Sequence, residues 1–84
     1  MPKFNVTVRV MRPDNRPYER ARVDLELYQF LASGFVGERY TDREGYAHFN
    51  FDADQFAGVV VWVEHRTYTD RAGICPSYGI VCDR

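Results

Sequence analysis

Apolar and polar residues alternate with a period of two along most of this chain. Phe4, Val6, Val8 and Val10 alternate with Asn5, Thr7, Arg9 and Met11. Successive side chains of a strand point to opposite faces, so this pattern predicts a half-buried strand over 3–11. Val23, Leu25 and Leu27 alternate with Arg22, Asp24, Glu26 and Tyr28, which predicts a second strand over 21–30. A third strand is expected over 35–41, weakened by Gly37, and a fourth where Ala47, Phe49 and Phe51 alternate with Tyr46, His48 and Asn50. The run Val59 to Val63 is apolar at every position, which marks a strand over 59–66 covered on both faces. Trp62 differs in phase from Val61 and Val63, so it faces the second side of its sheet.

The stretches between these strands carry turn chemistry. Arg12-Pro13-Asp14-Asn15-Arg16-Pro17 reads as a loop, and Leu31-Ala32-Ser33-Gly34 as a connection. Asp42-Arg43-Glu44-Gly45 reads as a hairpin loop, with glycine where a positive φ is needed. Residues 52–58 read as a polar link with one helical turn capped by Asp52. The hexapeptide Tyr40-Thr41-Asp42-Arg43-Glu44-Gly45 is echoed 28 residues later by Tyr68-Thr69-Asp70-Arg71-Ala72-Gly73. The flanks of the two copies differ, so the echo is recurrent turn chemistry rather than a duplication.

Length and composition narrow the picture. With 84 residues there is room for one small domain, here 1–84 as a single unit. Ten valines against three leucines, and 15% aromatic residues, favour pleated surfaces over helices. Short strands with a turn signal every 8–12 residues describe an all-β sandwich of six or seven strands. Its expected core is Phe4, Val6, Val8, Val10, Val23, Leu25, Leu27, Phe49, Phe51, Val61 and Val63. No apolar run is long enough to span a membrane. The opening Met1-Pro2-Lys3-Phe4-Asn5 has no apolar signal stretch, as expected of a cytoplasmic chain, or of an extracellular or periplasmic one whose leader was removed. Ten arginines against the single Lys3 fit a GC-rich, bacterial coding genome.

The order of these features resembles a known group. A first strand and Pro-Asp-Asn-Arg-Pro precede Ala21-Arg22-Val23-Asp24-Leu25; Tyr40-Thr41-Asp42-Arg43-Glu44-Gly45-Tyr46-Ala47-His48-Phe49 and Ala57-Gly58-Val59-Val60-Val61-Trp62-Val63 follow. The chain resembles the carboxypeptidase regulatory-like and transthyretin-like (prealbumin-like) β-sandwich domains over 3–65. The resemblance implies a Greek-key topology and a non-catalytic binding role. The glycine usual before Pro17 is missing. A similar sandwich hydrolyses a purine-degradation intermediate with a first-strand histidine and a Tyr-Arg-Gly-Ser terminus. Here strand 3–11 has no histidine and the end is Ile80-Val81-Cys82-Asp83-Arg84, which argues against that activity. Isopeptide-forming surface repeats also look similar. Lys3 and Glu64 are present, but a strand asparagine near the C-terminus is not.

The residues that could carry chemistry are few. His48 falls on the polar face of its strand, and His65 follows Glu64, so that these two point apart. A small hydrolase using His48 or His65 is one alternative to a binding module. Asp52 and Asp54, with Asp14 and Asn15 in another loop, offer oxygens of the kind calcium takes; the plain reading is a capped turn and a solvated carboxylate. No cofactor is expected. Cys75 and Cys82 become cross-strand neighbours if Tyr78-Gly79 is a two-residue turn, which predicts a terminal hairpin over 74–84 and, in an oxidising compartment, a disulfide. The same segment can instead serve as an edge strand.

The surface residues left to explain are tyrosines and arginines. Arg9, Arg22, Tyr28, Tyr40, Tyr46 and Trp62 are the candidate partner-binding set. A protein partner is expected there, or self-association into a homodimer by pairing of edge strands. A carbohydrate-binding module is the other alternative. Residues 1–22 carry six basic groups against two acids, a balance of +4, and the remainder balances to −5. A net charge of −1 speaks against a nucleic-acid footprint.

Overall fold

The computed structural model describes residues 2–29, 33–69 and 73–83. The expected connection at Leu31-Ala32, residues 70–72 of the second turn motif, and Arg84 lie outside them. The described residues contain seven strands and no helix. The strands are β1 (Lys3–Met11), β2 (Arg22–Tyr28), β3 (Ser33–Tyr40), β4 (Tyr46–Asp52), β5 (Gly58–Val63), β6 (Arg66–Thr67) and β7 (Ser77–Val81). They form a three-stranded sheet in the order β4-β1-β7 and a four-stranded sheet in the order β3-β2-β5-β6.

Period-two patterning decides what each sheet buries. In β1 the even-numbered Val6, Val8 and Val10 are buried, while Asn5, Thr7 and Arg9 face out. The three-stranded sheet adds Ala47, Phe49 and Ile80 to the same core. Val23, Leu25, Leu27, Val59, Val61 and Val63 meet them from the four-stranded sheet. Full burial of a Val, Leu or Phe side chain is worth about 1.5–3 kcal/mol, so these two inner faces hold the sheets together. The apolar run of β5 predicts covering on both faces; its outward Val60 is buried, but Trp62 is only half-buried and no further layer lies over that face among the described residues. Phe4 and Phe51 sit at the margin instead, with ring centroids 5.9 Å apart, and are only partly buried. Ala21, Ala53, Ala57 and Cys82 complete the core.

Several expected turns take another form. β5 ends at Val63, because Glu64 and His65, with φ of 50° and 67°, make a tight turn into β6. Two consecutive left-handed residues match the right-handed twist of the strands they join. In the 53–57 link the cap is Asp54, not Asp52: its Oδ1 accepts the Phe56 N–H at 2.8 Å. No helical turn forms there. Tyr78-Gly79 is not a turn but the middle of β7, which runs parallel to β1 from Thr7↔Ser77 to Met11↔Val81. Pairing with the long, central β1 buries Ile80 and Cys82, which a short free-standing hairpin could not do.

The segment 41–46 is a corner between sheets, not a hairpin within one. β3 belongs to the four-stranded sheet and β4 to the three-stranded one. Asp42 Oδ1 accepts the N–H groups of Glu44 (2.9 Å) and Tyr46 (3.0 Å). Gly45 has φ 86°, and a Cβ there would collide with the Val10 carbonyl. That close approach lets the Gly45 carbonyl accept the Val10 N–H at 2.8 Å. Thr41 is buried; its hydroxyl accepts the Ala21 N–H at 2.8 Å and donates to the Tyr18 carbonyl. One side chain thus ties the corner to the stretch leading into β2.

Two outcomes follow. Thr41→Val keeps the shape but strands the buried Ala21 N–H, and is expected to lower the stability read by urea unfolding by about 1–3 kcal/mol, with Thr41→Ser much closer to wild type. The Asp42 carboxyl is held below its usual range, first by the Tyr46 N–H and also by that of Glu44. A lowered folded-state pKa contributes stability above the unfolded value that is lost as the pH falls through the folded value. The stability gap between wild type and Asp42→Asn is therefore expected to narrow from about pH 6 to about pH 3 in urea titrations.

Candidate functional site

The outer face of the four-stranded sheet holds the densest polar arrangement. β2 turns Arg22, Asp24, Glu26 and Tyr28 outward, since its odd-numbered neighbours fill the core. Register then sets their company. Tyr40 lies opposite Arg22, Glu38 and Trp62 flank Asp24, and Phe35 and Val60 flank Glu26. Asp24 and Glu38 are thus like charges side by side, which is unfavourable without a counter-ion. Arg22 supplies it: Nε lies 3.1 Å from Asp24 Oδ2 and Nη2 3.0 Å from Glu38 Oε2. The Asp24 hydrogen bond, ahead of the nearby negative charges, holds the Arg22 pKa above its usual value. The Arg22 backbone N–H donates to Glu64 Oε1 at 2.9 Å.

A cleft of about 450 Å³ opens on this face, lined by Arg22, Asp24, Phe35, Gly37, Glu38, Trp62 and His65. Trp62 is held in place by its indole N–H, which donates to Glu26 Oε1 at 3.0 Å. The β2–β3 register shifts between Leu25 and Glu26, opposite Gly37. This irregularity is a β-bulge, which bends the β3 edge locally. Phe35 is 62% exposed at its rim.

The six candidate partner residues divide between two surfaces. Arg22, Tyr28, Tyr40 and Trp62 share the outer face of the four-stranded sheet. Arg9 and Tyr46 pair across β1 and β4 on the other sheet, with the Arg9 guanidinium carbon 4.8 Å from the Tyr46 ring centroid. Tyr46 and His48 rings lie nearly parallel, 6.1 Å apart, and His48 Nδ1 is 3.1 Å from Thr7 Oγ1. Trp62 and Tyr46 therefore do not form one aromatic platform. His48 and His65 sit on different sheets. Ser77 lies beyond Thr7 from His48, roughly 10 Å away at two strand spacings.

The calcium candidates do not converge. Asp52 pairs with Lys3 at one end of β1, whereas Asp14 follows the other end and engages Arg16 through its backbone N–H and side chain. β1 is nine residues long, so roughly 30 Å separates the two loops. Among the described residues no group of His, Cys, Asp or Glu could hold a metal ion.

The expected disulfide is also replaced. Both cysteines are free; Cys75 is exposed before β7 and Cys82 is buried after it. Extended backbone between them sets their Cα atoms about 20 Å apart, far beyond the reach of a disulfide.

The sheet edges differ in how they are guarded. At β3 the Arg39 guanidinium donates to the Glu38 carbonyl at 2.8 Å and reaches 5.7 Å from the Phe49 ring, so it lies across that edge. β6 is two residues long, and its Arg66 is paired with Asp83 at 3.0 Å. β4 carries His48, Asn50 and Asp52 on its outward face. β7, Ser-Tyr-Gly-Ile-Val, has no charge, no proline and no bulge. Sequence patterning reached neither the Glu38–Asp24–Trp62 row nor the role of Phe35. Both arise from cross-strand register, and the only trace in the chain is the polar phase of Arg22, Asp24 and Glu26. Compared with models of known protein families, the chain matches none, and no curated protein matches it either.

The cysteine placement gives a direct check. In the native protein under non-denaturing conditions, a thiol reagent such as Ellman's is expected to modify Cys75 and to leave Cys82 unreacted until denaturant is added. Reductant is expected to leave the melting temperature unchanged, whereas a drop would reveal a cross-link.

Proposed function

We propose that the chain is a non-catalytic, prealbumin-like interaction module that pairs a protein strand with the open edge of β7, in the first instance the β7 of a second copy. The fold part of this reading is supported by the strand order. After β2 and β3 in one sheet the chain returns to set β4 beside β1, an order compatible with a Greek-key return. The Thr41-Asp42 and Gly45 positions of the family-like motif each have a physical task in the corner that makes this return.

The observation that carries the binding part is the direction of the β7 backbone. The Thr7 N–H donates to the Pro76 carbonyl at 3.0 Å, and the Cys82 N–H donates to the Met11 carbonyl at 2.9 Å. Even-numbered residues therefore turn their backbone groups toward β1, and Ser77, Gly79 and Val81 turn theirs outward. Unpaired edge groups without charge, proline or bulge are a template for another strand. A two-fold pairing centred on Gly79 sets Ser77 of one copy opposite Val81 of the other, so that all three residues exchange bonds in both directions. Val81, 61% exposed, gains a neighbour in that arrangement. So short an edge falls well below the roughly 1,000 Å² of a stable interface, so the dimer is expected to be weak and concentration-dependent.

Sedimentation equilibrium tests this. Wild type is expected to move from 9.8 kDa toward twice that mass as its concentration rises. A Cβ at Gly79 meets nothing within 4 Å, so a side chain there starts into open space; circular dichroism of each variant checks that the fold is kept. Gly79→Lys and Gly79→Glu are each expected to stay monomeric, because the two-fold sets like charges face to face, and a mixture of the two to dimerise again. A wild type that remains at 9.8 kDa at millimolar concentration overturns self-pairing, and variants that dimerise as wild type does overturn the β7 site.

A further inference from the structure

We propose that the Trp62 cleft on the outer face of the four-stranded sheet binds a cationic side chain, arginine above all, presented by an extended segment of another protein. The face carries Asp24, Glu26 and Glu38 against Arg22, while the whole chain has a net charge of only −1. The outer face of the other sheet has the opposite balance, with Lys3 and Arg9 against Asp52. Three acids against one arginine leave the cleft face an excess of two negative charges even with Arg22 paired, and that favours a positive ligand.

The chain itself displays the geometry of recognition. Arg22 shows that a guanidinium fits between Asp24 and Glu38, bonded to one oxygen of each. The second oxygens of both carboxylates have no partner among the described residues. A carboxylate accepts through both oxygens, so Glu38, whose side chain is about half exposed, can take a further donor from a ligand. The aromatic walls add a second determinant. Glu26 anchors the indole through its N–H, and Phe35 stands at the rim, 62% exposed. A guanidinium is planar and weakly hydrated, and it stacks on an indole face while its edge donors reach carboxylates. Asp24, between Trp62 and Glu38, is nearly buried and held by Arg22, so the exposed Glu38 is the carboxylate that a side chain entering beside Trp62 meets. A volume of about 450 Å³ admits such a side chain without rearranging the sheet.

This site is on the sheet that does not contain β7, so the two proposals stand separately. Trp62 is the only tryptophan, and its emission reports the cleft directly. The probe is acetyl-Gly-Arg-Gly-Arg-Gly-amide, titrated at low micromolar protein, alongside the same peptide with citrulline or glutamate in place of arginine. The arginine peptide is expected to change the emission saturably and to bind about tenfold more weakly when salt rises from 20 to 200 mM. The citrulline peptide, of the same shape but uncharged, is expected to bind at least about fivefold more weakly, and the glutamate peptide not at all. Glu38→Gln, at an exposed position, is expected to weaken arginine-peptide binding about threefold to fivefold, and Phe35→Ala to weaken it independently of salt. Gly79→Lys is expected to bind as wild type does. Equal affinity for the arginine and citrulline peptides, a saturable response to calcium alone that blocks the peptide, or no response to any peptide would each overturn the proposal.

Discussion

The chain leaves one sheet for the other immediately after β3, and at that point several backbone groups lie beyond the reach of either sheet's ladder. Thr41 meets this need with a single hydroxyl, which accepts from Ala21 and donates to Tyr18. Its own backbone exchanges two further bonds with the same stretch, N–H to Ala21 and carbonyl to Arg20. Next to it, Gly45 lies so close to Val10 that no side chain is tolerated. β4 is thereby delivered to β1 in the register Arg9↔Tyr46, which stacks Val6, Val8 and Val10 beside Phe49 and Ala47. The shared core, the two outer faces and the edges all depend on this corner.

Once the corner sets the sheets face to face, charge is sorted by face rather than by chain segment. The basic N-terminal quarter and the acidic remainder do not become two poles. Arg22, from the basic quarter, lies among the acids of the four-stranded sheet. Several arginines are satisfied within the molecule: Arg12 lies 4.1 Å from the Tyr18 ring centroid and Arg9 4.8 Å from that of Tyr46. Two of the six tyrosines, Tyr18 and Tyr46, are thus engaged in internal cation–π contact, worth about 0.5–1 kcal/mol at an exposed site. Among the described residues, the acid-rimmed Trp62 cleft and the outer edge of β7 are not engaged by these contacts. The two are distinct in chemistry, one electrostatic and aromatic, the other backbone hydrogen bonding.

The legible features were those whose cause is local. Alternation in 3–11 and in Arg22 to Tyr28 identified which residues are buried, because strand geometry alone sends alternate side chains to opposite faces. The outward phase of Trp62 was legible for the same reason, whereas the expected second covering of β5 is not found among the described residues. The turn at Asp42 to Gly45 was legible as a turn, since Asp bonds its own backbone and Gly accepts positive φ. Whether that turn joins strands of one sheet or of two was not, because the local backbone is the same in either case. The 64–65 turn was not legible because Glu-His is not the Asn-Gly or Asp-Gly pair that signals a two-residue hairpin turn. The cysteines were misplaced because a local hairpin and a long-range strand both fit the short segment from 74 to 82.

By itself, the sequence determined the fold class, the inward and outward phase of each long strand, and the positions of the main turns. These follow from side-chain geometry and backbone preference within a few residues. The tertiary structure alone decided the pairing of β1 with β7, residues about 70 apart, and with it the free edge and the separated thiols. It also decided the Glu38–Asp24–Trp62 row, which takes one residue from each of three strands. Such pairings are chosen by which partner buries more apolar surface while satisfying the backbone, a competition among segments distant in the chain that no local pattern encodes.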